Sequence, residues 1–138
     1  EKSYRLVGTE LSIEYAALES GLHRFVHLNK GDFKGRQQLS EWQEAGFANA
    51  MVTLEVHDTT DADAIGGNPI MLLDGTVIGR ATSGGYGFRL GKSLALAMVR
   101  PDLATVGTEL MIDVLDQRLR AKILEESPYD PDNQRLRA

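Results

Sequence analysis

The strongest constraint on this chain is a series of short apolar and polar alternations at regular spacing between residues 47 and 126. "AMVTLEVHD" places Met51, Thr53, Glu55 and His57 on one side and Val52, Leu54 and Val56 on the other, the period of a half-buried strand. "IMLLDGTVIGRAT" is two β-prone runs joined by Asp74-Gly75, a hairpin signal because both residue types tolerate positive φ. "LALAMV", residues 94–99, ends at Arg100-Pro101 after a length that suits a strand. In "LMIDVLDQRLRAKIL", Leu110, Ile112 and Val114 alternate, Asp116-Gln117 can turn, and Leu119, Ala121 and Ile123 alternate again. This spacing predicts a small β-barrel or sandwich.

The first 46 residues follow a different plan. "HRFVHLNKGD", residues 23–32, predicts a short strand ending in a turn at Asn29-Lys30-Gly31-Asp32. From Gly35 to Ala45, Leu39 and Trp42 sit three apart, with Phe33 and Phe47 flanking and Gly46 placed as a C-cap glycine. That predicts one helix with Trp42 facing inward. The change of period near residue 46 divides the chain into 1–46 and 47–138, a mainly β protein whose barrel follows an α+β segment. The opening "EKSYRLVGTELS" has no initiator methionine and suggests a piece of a longer protein.

Composition narrows the function. The 138 residues include no cysteine, which removes thiolate nucleophiles and thiolate metal sites. A net charge of −5, with fifteen scattered Lys and Arg, argues against nucleic acid. No apolar run approaches the roughly 20 residues of a membrane span, so no membrane partner is expected and the cytoplasm is the default location.

"SGGYGFRLGKS", residues 83–93, invites comparison with a phosphate-binding loop, GxxxxGK[ST] between a strand and a helix. Gly91-Lys92-Ser93 supply its second half, but the first glycine would stand at Tyr86, and the segment that follows is a strand. A wide turn between strands is the expected structure. Arg89 and Lys92 are then solvated charges, or contacts for an anionic ligand's tail or a neighbouring domain. His23, His27 and His57 are dispersed, with no carboxylate completing a metal set. Asp58, Asp61 and Asp63 lack the later glycine and glutamate of a calcium loop. No catalytic or metal residue is assigned.

Taken in series, "GTELS", "LESGLHRFV", "KGDFKGRQQL", "GGNPIMLLDGTVIGRATSGGYGFRLGKSLALAMV" and "SPYDPDNQRLRA" resemble the C-terminal end of the glycine-cleavage T-protein (aminomethyltransferase) family. The closest branch is similar to the folate-binding half of dimethylglycine and sarcosine dehydrogenases or oxidases. This chain departs from the family's pattern at "AALESGL", at Lys34 and at Gly87, Phe88 and Arg89.

The resemblance implies that residues 1–46 end a folate-binding domain and that 47–138 form the family's C-terminal β-barrel. It implies tetrahydrofolate as cofactor, in a site incomplete within this chain, and FAD in a parent protein but not bound here. The family's acid/base aspartate would lie in an N-terminal portion outside this sequence. Glu19 falls on the glutamate of the LEAG-type motif, and Tyr4 and Tyr129 fall on segments near the cavity; the three are candidates for lining the cofactor site. The expected partners are the N-terminal folate and FAD domains or a complementing subunit, with a homo-oligomer through an uncovered apolar patch as a further expectation. In a eukaryote the expected location is the mitochondrial matrix. A free-standing β-barrel interaction module without catalysis is the alternative.

Overall fold

The computed structural model describes residues 1–59 and 61–138; Thr60, in the acidic loop, lies outside the described residues. Six strands close into an antiparallel barrel: β1 (Ala50–Val56), β2 (Pro69–Met71), β3 (Val77–Gly87), β4 (Lys92–Val99), β5 (Glu109–Val114) and β6 (Gln117–Leu124). Their order around the barrel is β1-β4-β3-β2-β5-β6, and β6 pairs back onto β1. The mainly β reading and the barrel are therefore observed. One α-helix, α1 (Arg36–Ala45), precedes the strands.

Alternation sets the barrel interior. Val52, Leu54 and Val56 face Ala97, Ala95 and Ser93 across the β1–β4 ladder. They join Ile70, Leu110, Ile112 and Ile123 in one core. The opposite side of β1 is less exposed than a half-buried strand predicts, because Thr53 is buried too. Its hydroxyl meets that of Ser3 at 2.7 Å. The N-terminal segment thus lies over the outer face of β1 and β4. Leu94 and Met98 are buried on that face while Ala95, Ala97 and Val99 fill the interior. Coverage on both faces explains why β4 reads as a continuous apolar run.

Both hairpins form near their predicted turns. At Asp74-Gly75 only the glycine takes positive φ, 90°. The Asp74 side chain accepts from the Thr76 N–H at 2.9 Å. The β5–β6 turn falls one residue early, on Leu115 and Asp116, both in the left-handed region.

Two expectations require correction. Residues 23–32 contain no strand: His23–Phe25 form a single 3-10 turn, because no neighbouring strand offers them a ladder. The helix forms where predicted and Gly46 ends it at φ 86°, but Trp42 does not face inward. It is 45% exposed, and no residue of α1 is buried.

Candidate functional site

Residues 1–22 and the tail 125–130 converge on the outer face of β1, β3 and β4, and the concave surfaces there are the candidate site. Three side chains hold this layer. Arg5 donates to the carbonyls of Ser20 (2.8 Å) and Ser3 (3.0 Å) and to the Glu126 carboxylate (2.5 Å). Glu10, with no exposed surface, accepts from Leu6 N–H at 2.9 Å and from the hydroxyls of Thr9 (2.7 Å), Thr82 (2.6 Å) and Ser83 (2.7 Å). A register shift between Ala81 and Ser83 explains the last two contacts. The extra residue of a β-bulge lets adjacent side chains reach one partner. Burial pushes the Glu10 carboxyl up, but the four hydrogen bonds outweigh it and hold the group at about 2, below its ordinary 4.5.

Glu19 is the third anchor. Its carboxylate accepts from Ala16 N–H (2.8 Å) and from both the backbone N–H (2.9 Å) and side-chain amide (3.0 Å) of Asn49, and its carbonyl accepts from Met51 N–H (2.9 Å). This fixes the entry into β1. Tyr4 is instead exposed and lines a cavity of ≈ 480 Å³ with Tyr86, above a floor that includes Gly85. Tyr129 is half-buried beside the first residues, its N–H donating to the Glu1 carbonyl at 3.1 Å. Arg135 stacks over its ring, 5.9 Å from the centroid. The structure brings Tyr4 and Tyr129 to the same N-terminal strip, and places Glu19 on a separate cavity of ≈ 330 Å³ with Tyr15, Trp42 and Phe47.

The glycine-rich segment differs from the expected wide turn. Gly84, Gly85 and Gly87 belong to β3, and only Phe88–Gly91 turn. A Cβ at Gly84 would lie 2.2 Å from the Ala64 carbonyl oxygen, so close backbone approach requires glycine there. The lysine and serine of the Walker-like half are engaged internally: Lys92 donates to Glu55 at 2.8 Å and Ser93 to Asp63 at 2.6 Å. The turn does bind an anion, the chain's own Glu1 carboxylate, through the N–H groups of Arg89 (2.7 Å) and Leu90 (3.0 Å). The Arg89 side chain remains exposed.

His23 and His27 are exposed, and His57 lies 3.8 Å from Glu55. Among the described residues no group of three or more His, Asp or Glu could hold a metal ion. No helix there is long and apolar enough to cross a membrane.

Sequence reading missed Glu10, Arg5 and the contact of Arg80 with Glu14 and with the Tyr15 hydroxyl (2.8 Å). The one available signal was the adjacent hydroxyl pair Thr82-Ser83 inside a strand.

The model of the glycine cleavage T-protein C-terminal barrel domain matches residues 49–130. The chain belongs to this family. Its relatives include the mitochondrial dimethylglycine dehydrogenase of Rattus norvegicus, 37% identical over 127 residues, which cover 91% of this chain and 15% of that protein. The aminomethyltransferase of Moorella thermoacetica is 35% identical over 129 residues, covering 91% and 33%. The chain thus spans a minor part of each relative. The solved glycine cleavage system aminomethyltransferase T from Bartonella henselae superposes with a TM-score of 0.80 over 94% of this chain and 35% of its own; at 20% identity this shows a shared fold. The family barrel corresponds to β1–β6 with the start of the tail, and the anchored strip of residues 1–22 lies before it.

Proposed function

We propose that this chain is the C-terminal portion of a tetrahydrofolate-dependent one-carbon transfer enzyme of the dimethylglycine or sarcosine dehydrogenase kind, and that it is not competent alone. The observation that carries this reading is the 37–38% identity to mammalian dimethylglycine dehydrogenases along 91% of the chain. In this reading residues 1–46 end the folate domain and 47–138 are the barrel with its tail.

The chemistry supports the incompleteness. Moving a one-carbon unit from an amine to folate needs a carboxylate able to exchange a proton and a cavity that excludes water. Glu10 is held ionised at about 2, too weak a base for that task near neutrality, and the Glu19 carboxylate is engaged by three hydrogen bonds. The residues present suit one wall of a folate site. Tyr4 would offer its ring to the planar cofactor, Tyr129 would flank it, and Glu19 would act by fixing the wall. Bound folate supplies the nitrogen that accepts the one-carbon unit, and FAD would belong to a preceding domain. The location that goes with this reading is the cytoplasm, or the mitochondrial matrix in a eukaryote; the names of the mammalian relatives carry the word mitochondrial.

Titration calorimetry with tetrahydrofolate tests the proposal. The 138-residue chain should bind weakly or not at all, whereas a polypeptide carrying the upstream domains should bind stoichiometrically. Tight one-to-one binding by the chain alone would contradict it.

A further inference from the structure

We infer that the cavity beside Tyr4 and Tyr86 is a binding site for a small methylated ammonium ion. The inference goes beyond the cofactor reading and is built from residues of this chain alone.

Rings and charges there point to a cation. Tyr4 and Tyr86 line a cavity of ≈ 480 Å³ with exposed rings, and Phe88 braces Tyr86 nearly at right angles, centroids 5.1 Å apart. Elsewhere in the chain Tyr15, Phe25, Phe33 and Tyr129 each have an Arg or Lys over the ring. Among the described residues no such side chain covers Tyr4 or Tyr86, so these two rings keep their electron-rich faces for a cation from solution. Two carboxylates border the same space. Glu1 lines it, and Glu10 lies behind Ser83, a lining residue whose hydroxyl reaches that carboxylate at 2.7 Å. Among the described residues neither carboxylate forms an ion pair. The nearby cations are committed: Lys2 lines the cavity but is held by Asp130, and Arg5 is held by Glu126. The cavity therefore carries an uncompensated negative potential.

The hydrogen bonding of the walls selects the kind of cation. One Glu10 oxygen accepts from Thr82 and Ser83, the other from Leu6 N–H and Thr9. Four bonds fill the acceptor positions of a carboxylate, so Glu10 acts through its charge and has no oxygen left to ligate a metal or accept from an ammonium N–H. Ser3 and Thr53, also in the lining, satisfy each other at 2.7 Å. A metal ion or primary ammonium entering here would give up strong hydration for few new bonds. An ammonium whose hydrogens are replaced by methyl groups loses less. Its charge is spread over a surface that packs against the two rings and against Leu6 and Leu94.

Calorimetric titration of the 138-residue chain with choline, and with its neutral isostere 3,3-dimethyl-1-butanol, tests the site. Both runs use 150 mM salt, which screens general attraction to an acidic protein. Choline should bind at millimolar concentration and shift the ring resonances of Tyr4 and Tyr86, and the isostere should bind at least tenfold more weakly. Tyr86→Leu, which leaves the net charge unchanged, should weaken choline binding roughly fivefold. Glu10→Gln, checked for folding by circular dichroism, should weaken it as well. Equal binding of choline and the isostere, tight binding undisturbed by Tyr86→Leu, or no saturation by 100 mM choline would each overturn the inference. Folate is absent from these titrations, so their failure leaves the cofactor reading standing, and failure of the extended polypeptide to bind folate leaves this site standing.

Discussion

A carboxylate without exposed surface usually sits beside a cation, yet among the described residues Glu10 has none within ion-pairing distance, and four neutral donors hold it. Its folded value of about 2 lies below its ordinary 4.5. The charged form therefore favours the folded state. That stabilisation, roughly 3 kcal/mol by linkage, is complete above about pH 4.5 and is lost as the pH falls through about 2. Glu10→Gln should lower stability near neutral pH by about 2–3 kcal/mol in urea unfolding. The difference between the two proteins should narrow between pH 4.5 and 2. A constant difference across that range would show that the charge is not the source. Glycines give a second test. Gly84→Ala should cost about 3 kcal/mol, because its Cβ would overlap the Ala64 carbonyl, whereas Gly85→Ala, with nothing within 4 Å, should change stability by less than about 0.5 kcal/mol. Thermal midpoints of the two variants make the comparison.

Strands were legible where one face meets the barrel core, since Leu110, Ile112 and Val114 alternate for a reason the sequence carries locally. Residues 23–32 misled because alternation without a neighbouring strand has no ladder to join, and a 3-10 turn satisfied the backbone instead. The β5–β6 turn was misplaced by one residue because Leu115 is a poor left-handed residue, and the expected signal pointed to Asp116-Gln117. That misfit is testable at the level of the hairpin. A non-glycine residue in the left-handed region costs about 1–2 kcal/mol, less for asparagine. Leu115 is 69% exposed, so Leu115→Asn removes little packing. It should stabilise the protein by about 0.5–1 kcal/mol in thermal unfolding, and destabilisation would mean that the leucine packs in a way the hairpin geometry does not convey.

Across the whole molecule, the family and the barrel were recognisable from ordered segments, while the anchored strip was not. Glu10 meets Thr82 and Ser83, Arg5 meets Glu126, and Ser127 meets Ser3 and Lys2. Each pair joins parts of the chain far apart in sequence, and neither periodicity nor turn chemistry reports such contacts. Trp42 was misread for a related reason: helical spacing identifies an apolar face without saying what covers it. Barrel closure has a consequence for inheritance. With every strand paired on both sides within the barrel, its backbone bonding makes little demand on whatever polypeptide surrounds it, the Met51 N–H held by the Glu19 carbonyl being an exception. A unit of that kind can be carried between proteins of very different length; the match to this chain fills 15% of the rat dehydrogenase and 33% of the Moorella aminomethyltransferase. Only side chains on its outer layer need be renegotiated with each new host.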